Sequence, residues 1–162
     1  MVKNSAKRLK TNRRKRWQDL LQNNAVPSAN GKSKVLIDTN IWYSAILHGG
    51  KPEDLVRLCI NNQNMVISAF IINEIRVKLK NDAKAPYKWL NALERQLKRL
   101  CEVVDVDVIP KVVRDPKDDP VIATAFSGQC EYLITGDDDL LSLKSVSGLQ
   151  IVTVDEFLAL VG

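Results

Sequence analysis

Short uninterrupted apolar runs alternate along this chain with longer stretches of helical period. The runs are Val35-Leu36-Ile37, Met65-Val66-Ile67, Val103-Val104, Tyr132-Leu133-Ile134 and Ile151-Val152. Val35–Ile37, Met65–Ile67 and Tyr132–Ile134 have the mark of strands buried on both faces, as in parallel sheets, whereas Val103-Val104 reads as a short edge strand and Ile151-Val152 as a fifth strand. Between them, apolar residues recur every three or four positions. Ile41, Trp42, Ala45 and Ile46 form one such stripe, and Leu55, Val56, Leu58, Cys59 and Ile60 a second. Further stripes are Ile71, Ile72, Ile75 and Leu79, then Leu90, Leu93, Leu97 and Leu100, and Val121, Ile122, Ala125 and Phe126. A closing helix is expected over Val154–Val161. Strand and helix in alternation predict an α/β fold: a three-layer α/β/α sandwich around a central, mostly parallel sheet of five strands.

The polar residues that interrupt this pattern are largely acidic, and they sit where strands hand over to helices. Asp38 ends the first run, and Thr39 and Asn40 are in position to cap the helix after it. Glu74 lies about one turn into the helix that follows Ser68, within reach of the same sheet edge. Taken alone it would be an ordinary surface acid paired with Lys78 at i+4. Asp119 precedes Pro120, the arrangement of a helix N-cap followed by proline at the first helical position. Thr135-Gly136-Asp137-Asp138-Asp139 ends the fourth run as Asp38 ends the first. Asp38, Glu74, Asp119 and Asp137, with Asp139 behind, are therefore expected at the carboxyl edge of the sheet, where open α/β folds bind their ligands.

Carboxylates gathered in one crevice repel each other unless a cation lies among them. Oxygen ligands without His or Cys suit Mg²⁺ or Mn²⁺ rather than zinc. Such an ion, keeping several of its waters, supplies the means of hydrolysing a phosphodiester. His48, the only histidine, falls beside Gly49-Gly50 and reads as a loop residue, so relays built on histidine are poorly supplied. No glycine-rich phosphate cradle is present, which disfavours nucleoside-triphosphate chemistry.

Charge adds one further feature. The net charge of +5 combines a basic start with an acidic body: ten Lys or Arg stand against Asp19 alone in the first 34 residues. A polyanion, or the protein's own acidic surface, is the expected target of that arm. Ala6, Leu9, Trp17, Leu20 and Leu21 fit one side of a helix ending before Pro27, with a linker over Pro27–Ser33. The chain thus divides into a basic extension with its linker, 1–33, and a domain over 34–162. No apolar run approaches the roughly 20 residues of a membrane span. With no secretory signal at the N-terminus, a cytoplasmic protein is expected. Cys59, Cys101 and Cys130 are odd in number and far apart, consistent with reduced, buried thiols.

From Lys34 onward the chain resembles a PIN domain, the ribonuclease fold of many bacterial and archaeal toxins of toxin–antitoxin systems. The resemblance rests on Val35-Leu-Ile-Asp-Thr-Asn40, Ile67-Ser68 with Glu74, Arg114-Asp-Pro-Lys-Asp-Asp119 with Ile122-Ala123, and Leu133-Ile-Thr-Gly-Asp-Asp-Asp-Leu-Leu141. It implies metal-dependent hydrolysis of single-stranded RNA, with Asp38, Glu74 and Asp119 as core ligands and Asp137 as the fourth acid. Asn40 and Thr135 would support the site, with Asp118 beside it. The resemblance also implies a cognate antitoxin and a homodimer. Arg13, Arg14, Arg16, Arg76, Arg114 and Lys117 are candidate nucleic-acid contacts. A haloacid-dehalogenase-like phosphatase would need an acid where Asn40 stands, and a receiver domain a lysine closer to Thr135 than Lys144. Another metal-dependent nuclease, acting on DNA or on structure, and a non-catalytic nucleic-acid-binding module remain as alternatives.

Overall fold

A computed structural model describes residues 11–23, 32–106 and 119–162. The described chain runs α1 (Thr11–Asn23), β1 (Lys34–Ile37), α2 (Thr39–Leu47), α3 (Gly50–Asn62), β2 (Asn64–Ser68), α4 (Ala69–Ala83) and α5 (Tyr87–Leu100). It continues through β3 (Glu102–Val104), α6 (Asp119–Ser127), β4 (Tyr132–Ile134), α7 (Asp138–Leu141), β5 (Ser145–Val146), β6 (Leu149–Val152) and α8 (Val154–Val161).

The sheet has the order β3-β2-β1-β4-β6-β5, and every pairing is parallel except that of β5 with β6. It therefore has six strands rather than five. The extra one, β5, is a two-residue piece folded back on β6 through Ser147 and Gly148, too short and too polar to announce itself as a strand. β1 lies at the centre, and Val35, Leu36 and Ile37 are at most 1% exposed. Burial on both faces is what an unbroken apolar run requires.

From β1 the chain steps outward to β2 and β3, then returns to place β4 on the other flank of β1. Right-handed crossovers put the α2–α5 connections on one face and α6, made in the reverse direction, on the other. The strand order reverses between β1 and β4. In such sheets a crevice opens at that point beyond the strands' carboxyl ends.

α6 runs from that edge toward the opposite one. Near its start Pro120 O accepts the Thr124 hydroxyl (2.7 Å), and Thr124 shares a hydrogen bond with Ser68, the last residue of β2 (2.8 Å). Past its end, Gly128 O accepts from Lys34 Nζ at the start of β1 (3.1 Å). A Cβ at Gly128 would stand 2.4 Å from Val66 Cγ1. Val66 is itself in the middle of the sheet, so neither side can yield cheaply. Gly128→Ala is expected to cost about 1–3 kcal/mol of stability, as overpacking does, measured by urea denaturation.

The basic arm is not a free extension over its described part. α1 lies against α5 and α2 and buries Trp17 to 1% exposure. Its backbone is fastened too, Arg14 O accepting the Trp89 indole N–H (3.1 Å). Ala6, Leu9 and the 24–31 stretch lie outside the described residues, as do the side chains of Leu20 and Leu21. Among the described residues no helix is long and apolar enough to cross a membrane. Burial pushes the thiols of Cys59, Cys101 and Cys130 up to about 12, so they stay protonated and inert.

Candidate active site

Asp38 is delivered to the switch point by the strand ladder. Its N–H donates to Ile134 O of β4 (3.0 Å), so the end of β1 is tied to the neighbouring strand. The side chain is 6% exposed. Oδ1 accepts the Thr39 N–H (2.7 Å) and Oδ2 accepts the Thr135 hydroxyl (2.7 Å). Asp38 is thus itself the N-cap of α2, and Thr39 is the first residue of the helix rather than its cap.

Thr39 carries the connection to the next acid. Its hydroxyl donates to Glu74 Oε2 (2.9 Å). Glu74 comes from the second turn of α4, a helix started by Ser68, whose Oγ accepts from Ile71 N (3.4 Å). On the other flank, Thr135 Oγ1 also accepts the Asp137 N–H (3.1 Å), and Asp137 Oδ1 accepts from Asp139 N (2.8 Å) as the cap of α7. One continuous chain of hydrogen bonds therefore runs Glu74–Thr39–Asp38–Thr135–Asp137. Its two threonines hold the carboxylates of Glu74 and Asp38 and the backbone of Asp137 at one edge.

This arrangement is costly in the protein alone. Burial is the main cause that raises the Asp38 carboxyl above the usual carboxylate range; the hydrogen bonds from Thr135 and Thr39 oppose it, and the charges of Glu74 and Asp137 add to it. None of the ion pairs of the described residues involves Asp38, Glu74 or Asp137. A carboxyl raised in the fold binds a proton that the unfolded chain has already released, so stability falls as pH rises through the interval between the two values. In EDTA, this group should make the unfolding free energy decline as pH rises above the ordinary carboxylate range. Asp38→Asn should remove that component, as urea titrations at several pH values would show.

The other expected residues are distributed as follows. Asp119 opens α6, whose start lies toward the same sheet edge; its side chain, with Asp118, Arg114 and Lys117, lies outside the described residues. Asn40 is exposed in the first turn of α2, and its Oδ1 accepts from Lys78 Nζ. Arg76 turns away from the crevice toward α5, paired with Glu94 (2.9 Å) and donating to Asn91 (2.9 Å). Arg13 and Arg16 are held by the protein's own Glu53, at 3.3 and 2.7 Å, and Arg57 joins them at 3.0 Å. Arg13 also donates to Ala45 O and Ile46 O (2.9 and 2.8 Å), carbonyls of the last turn of α2, the first of which also accepts the Gly49 N–H (3.2 Å). Of the arm's two candidate targets, the body's acidic surface takes these two arginines. Glu53 is the residue that sequence reasoning passes over, and Thr39 the one to which it gives too small a part. Neither bears a local mark of its role, since Glu53 reaches Arg13 and Thr39 reaches Glu74 across 40 and 35 positions.

The donor chemistry suits a hard cation: carboxylate oxygens, no thiol and no imidazole, with His48 exposed elsewhere. Among the described residues no three His, Cys, Asp or Glu side chains stand close enough to hold an ion unaided. A cation here would need further oxygens, from water or from Asp119.

The PIN domain family model matches residues 34–139, well over half of the chain. The chain belongs to the PIN domain family. The PIN match begins with β1 and ends at Asp139, so it spans Asp38, Glu74, Asp119 and Asp137 alike. A protein of Methanocaldococcus jannaschii, "Uncharacterized protein MJ1680", is 33% identical over 121 residues, covering 70% of this chain and 76% of that protein. Among solved structures, the chain is similar to one titled "Crystal structure of VapBC2 from Rickettsia felis bound to a DNA fragment from their promoter". The TM-score is 0.50 at 17% identity, covering 74% of this chain and 98% of the matched one, which supports the PIN fold. PIN domains are generally nucleases that use divalent metals, and that coarse chemistry fits an oxygen-only pocket.

Proposed function

We propose that this protein is a divalent-metal-dependent endoribonuclease that hydrolyses single-stranded RNA, and that it serves as the toxin of a toxin–antitoxin system. The observation that carries the reading is the placement of Asp38: a buried carboxylate at the strand-order switch, linked to two other acids, with no basic partner among the described residues. When bound, Mg²⁺ or Mn²⁺ would neutralise phosphate charge and acidify a water. Asp38, Glu74 and Asp119 would hold the ion, with Asp137 as the fourth acid and Asp139 close behind. Thr135 and the Thr39 N–H each occupy one Asp38 oxygen and fix the plane of the carboxylate. Thr39 orients Glu74, and the exposed face of the pocket admits the strand.

In this reading residues 34–162 form the nuclease domain and residues 1–33 an extension whose helix α1 docks on it. The similarity to a toxin–antitoxin complex supports a cognate antitoxin as partner. A homodimer and a cytoplasmic setting accompany that class of protein. The decisive assay incubates the protein with labelled single-stranded RNA and single-stranded DNA, in Mg²⁺, Mn²⁺ or EDTA. RNA cleavage that disappears in EDTA is the expected result. Cleavage of DNA alone would reassign the substrate. Binding without cleavage in either metal would make the protein a nucleic-acid-binding module.

A further inference from the structure

Lys78 lies one helical turn beyond Glu74 on α4, a rise of about 6 Å along the axis. Two carboxylates flank it at the spacing favourable for helical ion pairs, Glu74 at i−4 and Asp82 at i+4. Neither takes it. Glu74 accepts the Thr39 hydroxyl (2.9 Å), and Asp82 accepts the hydroxyl of Tyr43 (3.5 Å). The ammonium of Lys78 instead donates to the amide oxygen of Asn40 and sits 5.7 Å from the centre of the Tyr43 ring. Both partners are neutral, and among the described residues Lys78 forms no ion pair. A half-buried cation is thereby fixed in direction beside a crevice of acids while its charge stays uncompensated.

Resting on the nuclease reading of that crevice, we propose that Lys78, steered by Asn40 and Tyr43, is the docking point for a backbone phosphate of the RNA strand next to the one being cut. One helical turn separates Lys78 from the acid set, a step comparable with that between successive phosphates of a strand. Asn40 and Tyr43 come from α2, the helix that Asp38 caps, so docking point and acid pocket share one support. Ammonium groups bind phosphate as point charges, and the Tyr43 ring beneath the ammonium helps to aim it. Arg76, two residues earlier, cannot substitute, because Glu94 and Asn91 already hold it.

The test uses the full chain carrying Asp38→Asn, so that bound RNA is not consumed, with and without Lys78→Gln. Affinity for a labelled single-stranded RNA oligonucleotide is followed by fluorescence anisotropy across a salt series. Lys78→Gln should weaken binding about tenfold and reduce the logarithmic salt slope by about 0.7, the value of one phosphate contact on a single strand. Lys78→Arg should restore the slope. In the otherwise wild-type chain, Lys78→Gln should raise KM far more than it lowers kcat. Unchanged affinity and slope would overturn the proposal even if the wild type cleaves RNA. A wild type that binds RNA through Lys78 yet never cleaves it would instead overturn the nuclease reading and leave this contact standing.

Discussion

Asp38→Asn protein is expected to lose RNA cleavage by about a thousandfold or more while folding at least as well as the parent. The size follows from removing one preorganised electrostatic element of a reacting site. The direction of the stability change follows from the pocket itself. In the parent, a buried carboxylate faces two others, and burial together with their charge holds its proton affinity above the ordinary range. An amide of nearly the same shape escapes that repulsion. Its oxygen still accepts from Thr39 N–H or Thr135, so only one of the two contacts is put at risk. In EDTA the variant should therefore melt at or above the parent temperature, by roughly 2–4 °C for each ~1 kcal/mol of relief in a domain of this length. Millimolar Mg²⁺ or Mn²⁺ should raise the melting temperature of the parent and have little effect on the variant, by ordinary linkage. Scanning calorimetry in both conditions decides the matter. Loss of activity with a lowered melting temperature and an intact metal response would mean that Asp38 is a structural cap and the ion lies elsewhere.

Trp17→Ala should produce the largest loss of stability among single changes in the arm, about 3–5 kcal/mol. Trp17 is 1% exposed and belongs to the same core as Trp42, Trp89 and Leu93, although it lies outside the matched PIN segment. Truncation leaves an apolar hollow between α1 and its neighbours. It also loosens the helix that presents Arg13 and Arg16 to Glu53, an acid whose side chain is 4% exposed. Glu53 would keep Arg57 and would be only partly compensated. Chemical denaturation gives the loss directly, and brief proteolysis should cut first within α1. A melting temperature within about 1 °C of the parent would show that α1 is only loosely seated. The result also bears on nucleic-acid binding, because arginines engaged by Glu53 are less available to phosphate than their count in the sequence suggests.

The sheet could be read from the chain where burial imposes a pattern. Val35–Ile37, Met65–Ile67 and Leu133-Ile134 are apolar without interruption because both of their faces are covered. β5 could not be read, since Ser145 and Val146 are held only by pairing with Gln150 and Leu149 and bury little of their own. The same division holds at the site. An Asp that ends an apolar run marks a sheet edge, so the positions of Asp38 and Asp137 were legible. The agents that join them were not. Thr39 reads as a capping residue, yet Asp38 takes the cap and leaves the Thr39 hydroxyl for Glu74. Likewise, Glu74 and Lys78 have the spacing of a helical ion pair, but contacts from α2 claim both. Local propensity and spacing give each residue's options; the tertiary partner selects among them.

α2 is only nine residues long and is gripped at both tips. At one tip Asp38 and Thr39 bind Thr135 and Glu74; at the other Arg13 clasps the carbonyls of Ala45 and Ile46. A rod pinned this way cannot slide lengthwise without rupturing contacts at both of its ends. Mechanical pull on the basic arm would accordingly reach the acids as an axial tug, some thirteen ångströms along a stiff spindle of about 1.5 Å per residue.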